Sequence, residues 1–501
     1  MNNKPMLNCY PDSLGGTLSD IAELLQSQDL KDCFSSLYLL PSLYHYDMDR
    51  GFSVVDYDLN ESLARPEDLE KIKSLGIELK LDFVLNHASA QSKQFQDVVQ
   101  KGEASEYKDF FINWNEFWEG CGERTEEGYI KPDPNYIENM FFRKPGLPLL
   151  MVDSVPFWNT FYQEVLDENG KKKYLGQMDL NIKSDKVWEF YKETLEKLAS
   201  YGAKIIRLDA FAYASKEQGK KNFFNEPETW DLLEKVQKVA EGCRTFEKGE
   251  QEKMELLPEI HASYEEGIYE QIAEKGYMTY DFFLPGLIID ALEHHDGSTL
   301  KQWADELIHK KIKTVNMLGC HDGIPLLDLK GLVPEERIDA LIEKIVGRGG
   351  LIKNLENVQK DKNIYYQVNA TYFSALGEDE KKLLAARALQ VFFPGKPQVW
   401  YLDLFAGKND YVAVAASGTA GHKEINRTNL SKEQIAEGLT TPIVKKQLEL
   451  LRFRNENPAF SFDSEINVSC NGEEMTFVWS HGEHQAKLEI NLRTYDFRMI
   501  S

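Results

Sequence analysis

Continuous runs of apolar residues recur along the chain, and stretches with helical periodicity separate several of them. The runs are rich in Leu, Ile and Val and do not alternate with polar residues, which is typical of strands buried on both faces of a sheet. Six runs cover residues 35–45, 77–87, 203–211, 254–262, 313–322 and 396–405. Buried strands that alternate with helices predict an α/β fold with a parallel sheet.

The clearest helix is predicted over residues 184–202. Ser184 is placed to cap its N-terminus, and Gly202 is placed to end it in the left-handed conformation that glycine adopts readily. One face is apolar and consists of Val187, Phe190, Tyr191, Leu195 and Leu198. Because this helix leads directly into the run at 203–211, we expect it to connect two parallel strands.

Polar residues stand where four of the apolar runs end: Asn86 and His87, Arg207 and Asp209, Glu259 and His261, and His321 and Asp322. A (β/α)8 TIM barrel builds its active site from the C-terminal ends of several strands. A doubly wound sheet instead collects its ligands at one switch point, usually beside a glycine-rich phosphate loop. The nearest candidate for such a loop, GRGG at 347–350, lies in no predicted strand-to-helix turn, so the pattern favours the barrel.

Composition narrows the class of protein. The 501 residues include 58 Lys and Arg against 82 Asp and Glu, and the net charge of −24 repels nucleic acid and anionic membranes. There is no apolar run of membrane-spanning length and no signal-peptide pattern, so we expect a cytoplasmic protein. The six cysteines form no C-x-x-C pair and are expected to be reduced thiols. No H-E-x-x-H or EF-hand pattern occurs, and no metal is expected.

Three carboxylates, Asp209, Glu259 and Asp322, are the strongest chemical signal. Cleavage of a glycosidic bond needs a carboxylate nucleophile, a carboxylic acid that protonates the leaving oxygen, and anionic surroundings for the transition state. Arg207 points to the same face as Asp209 and is expected to keep it ionised. A single strand-end carboxylate is more often a helix cap or part of an ion pair. Three of them, each at the end of a different strand, favour catalysis.

Several segments resemble known motifs. Four of them resemble the short motifs of the α-amylase superfamily, glycoside hydrolase family 13: DFVLNH, IIRLDAFAY, LLPEIH and CHDG. YPDSLGG, DRGFSVVDY, CHDGIP, YQVNATYFSAL, FAGKND and EINR resemble its sucrose phosphorylase subfamily. The resemblance extends from Tyr10 to about Phe460. It implies a barrel formed by 1–87, 184–323 and 378–458, an inserted domain B at 88–183, a second insertion at 324–377 that carries acceptor and phosphate loops, and a C-terminal antiparallel β-domain at 459–501.

The resemblance also implies roles for single residues. Asp209 would be the nucleophile that forms a β-glucosyl ester, Glu259 the general acid/base, and Asp322 the residue that stabilises the transition state. The expected glucose-binding residues are Asp49, Phe52, His87, Gln177, Arg207, His321 and Arg427. From the residues alone, Asp49 with Arg427 could be a structural pair, Phe52 could be core, and the histidines could be satisfied polar groups.

The reaction implied is a double displacement in which phosphate attacks the glucosyl-enzyme and α-glucose 1-phosphate leaves. Arg143, Lys144, Tyr366 and Gln367 are the candidates for binding this phosphate, although the two basic residues could equally be surface charges. Inorganic phosphate is the co-substrate, and no cofactor is implied. We therefore expect a hexosyltransferase that acts on small sugars, and its oligomeric state stays open.

The acceptor is less well defined. Typical sucrose phosphorylases carry an aspartate where this chain has Ile364, and small residues where it has Tyr44, His45 and Tyr46. Related phosphorylases act on sucrose 6'-phosphate, glucosylglycerol or glucosylglycerate, and Arg143, Lys144, Lys360 and Lys362 would suit an anionic acceptor. The first expectation is sucrose or a closely related α-glucoside. An α-glucosidase or glucosyltransferase would share the catalytic residues, whereas a non-catalytic barrel would be expected to lack one of the three carboxylates.

Overall fold

The computed structural model describes residues 2–140, 146–161, 165–166, 169, 172–173, 176–243, 245–247, 250–355 and 364–501. Four basic residues that the sequence suggested for phosphate or acceptor binding lie outside the described residues: Arg143, Lys144, Lys360 and Lys362.

Eight parallel strands form one sheet, as the alternating pattern predicted. They are β1 (Met6–Cys9), β2 (Ser36–Leu39), β3 (Glu78–Val84), β4 (Ala203–Asp209), β5 (Glu255–Pro258), β6 (Thr279–Asp281), β7 (Thr314–Met317) and β8 (Lys396–Trp400). Their order is β5-β4-β3-β2-β1-β8-β7-β6, so that β1 pairs with both β2 and β8. This order is that of a TIM barrel, and the predicted fold class is confirmed.

Helices cover the outside of the barrel. Ten of them are α1 (Leu18–Gln26), α2 (Pro66–Ser74), α3 (Asp185–Ser200), α4 (Glu228–Gly242), α5 (Ile268–Glu274), α6 (Leu284–His294), α7 (Ser298–Lys310), α8 (Glu335–Gly347), α9 (Glu380–Phe392) and α10 (Pro442–Glu456). The predicted helix is α3. Ser184 stands at its N-cap without a side-chain capping bond, and Gly202 follows it with φ 86°. Among the described helices, none is long and apolar enough to cross a membrane.

The segment between β3 and α3 consists of short elements. Its two ends pair with each other, because His87–Ser89 is antiparallel to Gln177–Asp179. Between them lie the helices Lys93–Lys101, Trp114–Phe117 and Pro134–Ile137 and the strand pairs Gly122–Arg124 with Ile130–Pro132 and Leu149–Val152 with Val155–Trp158. Three fully buried tryptophans, Trp114, Trp118 and Trp158, give this segment a core of its own. Its exact limits as a domain stay a prediction.

The C-terminal residues form the predicted antiparallel sheet. Its strands are β9 (Glu465–Asn471), β10 (Glu474–His481), β11 (His484–Asn491) and β12 (Phe497–Ile500), paired in chain order. Alternate residues face inward, which explains the alternating sequence. The indole nitrogen of Trp479 donates to the Phe392 carbonyl at 2.7 Å and joins this sheet to the barrel helix α9.

Two barrel strands, β1 and β6, are not among the six runs that the sequence pattern identified. They contain only four and three residues, and both include polar side chains. The polar side chains Asn8 and Asp281 are nevertheless fully buried. A short strand with a polar inward residue shows neither a continuous apolar run nor alternation, so periodicity does not reveal it.

A strained turn after β2 carries two of the expected glucose-binding residues. Strand Tyr44–Met48 pairs with Ser53–Leu59, and the turn between them contains Asp49, Arg50 and Gly51 with φ of 49°, 47° and 112°. A Cβ atom on Gly51 would lie 2.1 Å from the Ser42 backbone nitrogen. The turn can therefore take up this position only because residue 51 has no side chain.

We expect Gly51→Ala to destabilise the protein and to reduce its activity further than the loss of stability explains. The backbone conformation alone costs an alanine about 1–2 kcal/mol, and relief of the clash would displace Asp49 and Phe52. Gly76→Ala is the matched control, since Gly76 has φ 74° and no atom within 4 Å of an added Cβ. Thermal unfolding and turnover measured together check this, and equal effects of both substitutions would contradict it.

Candidate active site

The three carboxylates meet at one end of the barrel. Asp209 is the last residue of β4, Glu259 follows β5 directly, and Asp322 lies in the loop after β7. Their side chains are 12%, 13% and 14% exposed, so each is largely buried but reachable from the cleft. Parallel strands end at the same edge of the sheet, which is why residues so distant in the chain converge.

A single buried arginine connects two of these carboxylates with a third acid. Arg207 Nη1 lies 2.7 Å from Asp209 Oδ1 and 2.5 Å from Asp82 Oδ1, and its Nη2 lies 2.5 Å from Glu259 Oε1. The Arg207 side chain is 3% exposed. One guanidinium therefore positions the ends of β3, β4 and β5 relative to each other.

Asp82 was not predicted to belong to the site. It is fully buried in β3, directly opposite Arg207 in the register of β3 and β4, and it accepts a hydrogen bond from the Tyr38 hydroxyl at 3.0 Å. The signal in the sequence is weak. Lys80 and Asp82 are charged residues at inward positions of an otherwise apolar run, and such residues need buried partners.

Burial raises the pKa of Asp209 to about 8. The charge of Arg207 acts in the opposite direction, as the sequence suggested, and the charge of Glu259 adds to the effect of burial. Burial prevails because the charge of one guanidinium is divided among three acids. Asp209 therefore retains a proton to higher pH than an ordinary carboxyl group would.

Asp322 has the opposite electrostatic environment. Burial acts to raise its pKa, but the positive charges of Lys423 and Arg427 hold that pKa well below the usual range. Lys423 Nζ lies 2.5 Å from Asp322 Oδ1, and Arg427 Nη2 lies 3.9 Å from the same oxygen. Lys423 was not predicted. Its signal is the spacing in HKEINR, where it stands four residues before Arg427.

Arg427 joins the strained turn to the loop after β7. Its Nη1 lies 3.2 Å from Asp49 Oδ1 and 3.3 Å from Glu424 Oε1, and its Nε donates to the His321 carbonyl at 2.8 Å. The sequence suggested a structural pair as the alternative reading of Asp49 and Arg427. The two are indeed paired, and the pair lies beside Asp322 rather than away from the site.

Phe52 connects three of the predicted glucose-binding residues. Its ring stacks on that of His321, with centroids 4.8 Å apart and planes at 14°. Its carbonyl accepts hydrogen bonds from His87 Nε2 at 2.9 Å and from Gln177 Nε2 at 3.2 Å. Burial lowers the pKa of His87 to about 4, so that near neutral pH its ring is uncharged and carries its proton on Nε2.

His261 lies beside the expected acid/base. Its Nε2 is 3.8 Å from Glu259 Oε1, its Nδ1 is 3.1 Å from Asp328 Oδ2, and its ring stacks on Phe282. Burial acts to lower the pKa of His261, but the hydrogen bond and charge of Asp328, together with the charge of Glu259, raise it. The sequence showed His261 at the end of a strand. Its partner Asp328 lies in the second insertion and was not predicted.

A buried lysine ties the inserted segment to the barrel. Lys216 Nζ lies 2.7 Å from Asp179 Oδ2 and donates to Asn86 Oδ1 at 2.8 Å and to the Tyr213 carbonyl at 2.6 Å. Both charged side chains are at most 1% exposed. The ammonium group thereby joins residues that follow β3 and β4 to the last strand of the insertion.

The predicted phosphate loop is described only in part. Strand Ile364–Asn369 pairs with Leu351–Leu355, and Gln367 accepts a hydrogen bond from the Gly323 backbone nitrogen at 3.3 Å. Gln367 therefore lies next to the residue that follows Asp322. Tyr366 belongs to the same strand, but its side chain lies outside the described residues. Binding of phosphate at Tyr366, Gln367, Arg143 and Lys144 stays a prediction.

Comparison with known proteins assigns the chain to a family. The family model for the α-amylase catalytic domain matches residues 12–323. The chain is 50% identical to a sucrose 6(F)-phosphate phosphorylase of Ilumatobacter coccineus, over 99% of this chain and 95% of the relative. It is 36% identical to a sucrose phosphorylase of Streptococcus mutans, over 99% and 97%. The chain belongs to the sucrose phosphorylase branch of the α-amylase family.

A solved structure of this branch has the same fold. The crystal structure of sucrose 6F-phosphate phosphorylase from Thermoanaerobacter thermosaccharolyticum superposes with a TM-score of 0.86 at 33% identity, covering 100% of this chain and 95% of that chain. The resemblance inferred from the motifs is thus confirmed. The similarity extends well beyond the catalytic domain, because it includes the second insertion and the C-terminal sheet.

The charge of Glu259 raises the pKa of Asp209, so Glu259→Gln should lower it. We expect the acid limb of the kcat/KM profile to move to lower pH by about one unit or more. The profile should be measured with α-glucosyl fluoride, because fluoride leaves without needing a full proton. Glu265→Gln is the control, since it removes an exposed carboxylate that pairs with Lys330. An unmoved limb in Glu259→Gln would show that the two acids titrate independently.

Lys216→Met should destabilise the protein strongly. The substitution leaves Asp179 buried without its cation, a change that typically costs about 3–5 kcal/mol. Lys220→Met is the matched control, because Lys220 pairs with two carboxylates but is 41% exposed, and we expect little change there. Chemical unfolding of the three proteins checks the prediction, which fails if the two variants are equally stable.

Proposed function

We propose that this protein is a retaining phosphorylase that transfers the glucosyl group of a sucrose-type α-glucoside to inorganic phosphate. The observation that carries this proposal is the bridge formed by Arg207 between Asp209 and Glu259. Retaining enzymes need their two carboxylates closer together than inverting enzymes do, and acids that share one guanidinium meet that need. Membership of the phosphorylase branch supports phosphate, rather than water, as the second substrate.

In the first step Glu259 gives its proton to the glycosidic oxygen as the bond to the anomeric carbon breaks. Asp209 attacks that carbon from the opposite face and forms a β-glucosyl ester. The charge of Glu259 acts to raise the pKa of Asp209, so the two carboxyl groups are close enough to influence each other. The productive arrangement has a proton on Glu259 and the negative charge on Asp209.

In the second step an oxygen of phosphate attacks the anomeric carbon, and the ester bond to Asp209 breaks. A proton carried by that phosphate oxygen passes to Glu259, which restores the acid for the next cycle. The product is α-glucose 1-phosphate with the configuration of the donor. No cofactor takes part in either step. The phosphate-binding groups are those predicted at Tyr366, Gln367, Arg143 and Lys144.

In this proposal six side chains bind the glucosyl group: Asp322, Asp49, His87, Gln177, His321 and Arg427. The low pKa of Asp322 keeps it a hydrogen-bond acceptor for sugar hydroxyls throughout the physiological pH range. The Phe52 ring, stacked on His321, presents its face near the positive charge that develops at the anomeric centre.

For the acceptor we propose fructose 6-phosphate, so that the donor is sucrose 6'-phosphate. The relative with 50% identity bears the name of that activity, whereas the named sucrose phosphorylase is 36% identical. Ile364 supports the same choice, because an aspartate at this position would repel a phosphorylated acceptor and would hydrogen-bond a neutral one. Sucrose itself is the second candidate and is favoured by the Streptococcus mutans relative. We further propose that the enzyme works in the cytoplasm.

The proposal is tested by following phosphate release from α-glucose 1-phosphate. Parallel reactions contain fructose, fructose 6-phosphate, glycerol, glycerate or no acceptor. We expect the fastest release with fructose 6-phosphate and almost none without an acceptor. Equal release in every reaction would indicate a hydrolase and would refute the phosphorylase.

Two variants give the assay its controls. Asp209→Asn should lower turnover by about 10³-fold or more with every acceptor, because it removes the nucleophile. Ile364→Asp should shift the preference from fructose 6-phosphate towards fructose. If wild-type protein already prefers fructose, the acceptor proposal is wrong while the phosphorylase proposal stands.

A further inference from the structure

Lys423 lies in the active site, yet neither the motifs nor the family resemblance assign it a role. It belongs to the 3-10 segment Gly418–Asn426, which leads to Arg427. Its ammonium nitrogen lies 2.5 Å from Asp322 Oδ1, and its side chain is 22% exposed. The contact joins the C-terminal part of the barrel to the loop after β7.

The groups that face Asp322 explain why Lys423 matters. Three of them carry or could carry charge: Lys423, His321 and Arg427. Burial holds the pKa of His321 well below its usual value, so this ring is neutral. Lys423 itself faces Asp322, Asp49 and Arg427. Lys423 and Arg427 are therefore the two permanent cations beside Asp322.

Arg427 makes its shortest contacts with groups other than Asp322. Its Nη1 contacts Asp49 and Glu424, its Nε donates to the His321 carbonyl, and its Nη2 stays 3.9 Å from Asp322. The Arg427 side chain is 1% exposed and held on several sides. The contact of Lys423 with Asp322 is 1.4 Å shorter than that of Arg427.

We infer that Lys423 is a positioning residue that acts through Asp322. It holds the Asp322 carboxylate in place and charged, so that the acid is ready to accept hydroxyl groups of the bound glucosyl unit. This inference rests on the proposed role of Asp322 and adds the cation on which that role depends. A close ion pair of this kind directs the carboxylate before substrate arrives.

The inferred role of Lys423 predicts which kinetic parameters change when it is replaced. Asp322 contacts the glucosyl group, which every donor shares, so loss of Lys423 should affect donors with different leaving groups equally. We expect Lys423→Met to lower kcat/KM by about 10- to 100-fold for both α-glucosyl fluoride and α-glucose 1-phosphate, the range for the loss of one close charged contact. The KM for phosphate should stay within about threefold of wild type, because that step uses other groups.

A double-mutant cycle separates positioning from a direct contact with substrate. If Lys423 acts through Asp322, Lys423→Met should cause almost no further loss in an Asp322→Asn background, measured by hydrolysis or transfer from α-glucosyl fluoride. Lys423→Arg should restore most of the activity, since it retains the charge. Lys408→Met is the control, because Lys408 is 65% exposed and pairs with Glu378. Thermal unfolding of each variant shows whether it is folded.

Three results would overturn the inference: a Lys423→Met variant within threefold of wild type, an additive loss in the Asp322→Asn background, or a change confined to the KM for phosphate. The last would make Lys423 a phosphate ligand. A different result would refute the proposed function without deciding the role of Lys423. If wild-type protein hydrolyses α-glucosyl fluoride but does not use phosphate, the phosphorylase is refuted, and the cycle still tests whether Lys423 acts through Asp322.

Discussion

The buried Arg207 is the constraint on which the site depends. A guanidinium with 3% exposure needs compensating charge, and it receives this from Asp82, Asp209 and Glu259 on three adjacent strands. The same contacts hold Asp209 and Glu259, the two carboxylates proposed to react, at a fixed separation. The buried interior and the proposed catalytic pair therefore rely on one set of ion pairs, and the removal of any one partner leaves charge uncompensated in the interior.

A second network surrounds the place proposed for glucose. It consists of four side chains whose charges alternate between negative and positive: Asp49, Arg427, Asp322 and Lys423. They come from the turn after β2, the loop after β7 and the segment before α10. Alternation keeps each acid close to a cation, so several carboxylates can share a small pocket. It is also compatible with the proposed anionic co-substrate in a chain of net charge −24, because the local cations offset the general repulsion.

Much of this was predictable from the residues. The apolar runs indicated the barrel, and the polar groups that end them indicated Asp209, Glu259 and Asp322. Where prediction failed, the cause was physical. Asp82 is a single charged residue in a strand, and nothing in the sequence indicates its partner. The register of β3 and β4 shows that it lies opposite Arg207. The Lys216–Asp179 pair joins elements that are 37 residues apart in the chain, and spacing along a sequence does not reveal such a contact.

The sequence by itself determined the fold class and the family and indicated the residues proposed for the chemistry, because periodicity and motif spacing are local properties of the chain. Only the tertiary structure decided how these residues share charge. It showed that Arg207 contacts three acids, that burial outweighs Arg207 at Asp209, and that Lys423 forms an ion pair with Asp322. A pKa depends on burial and on distances between side chains, and these are set when distant segments pack together.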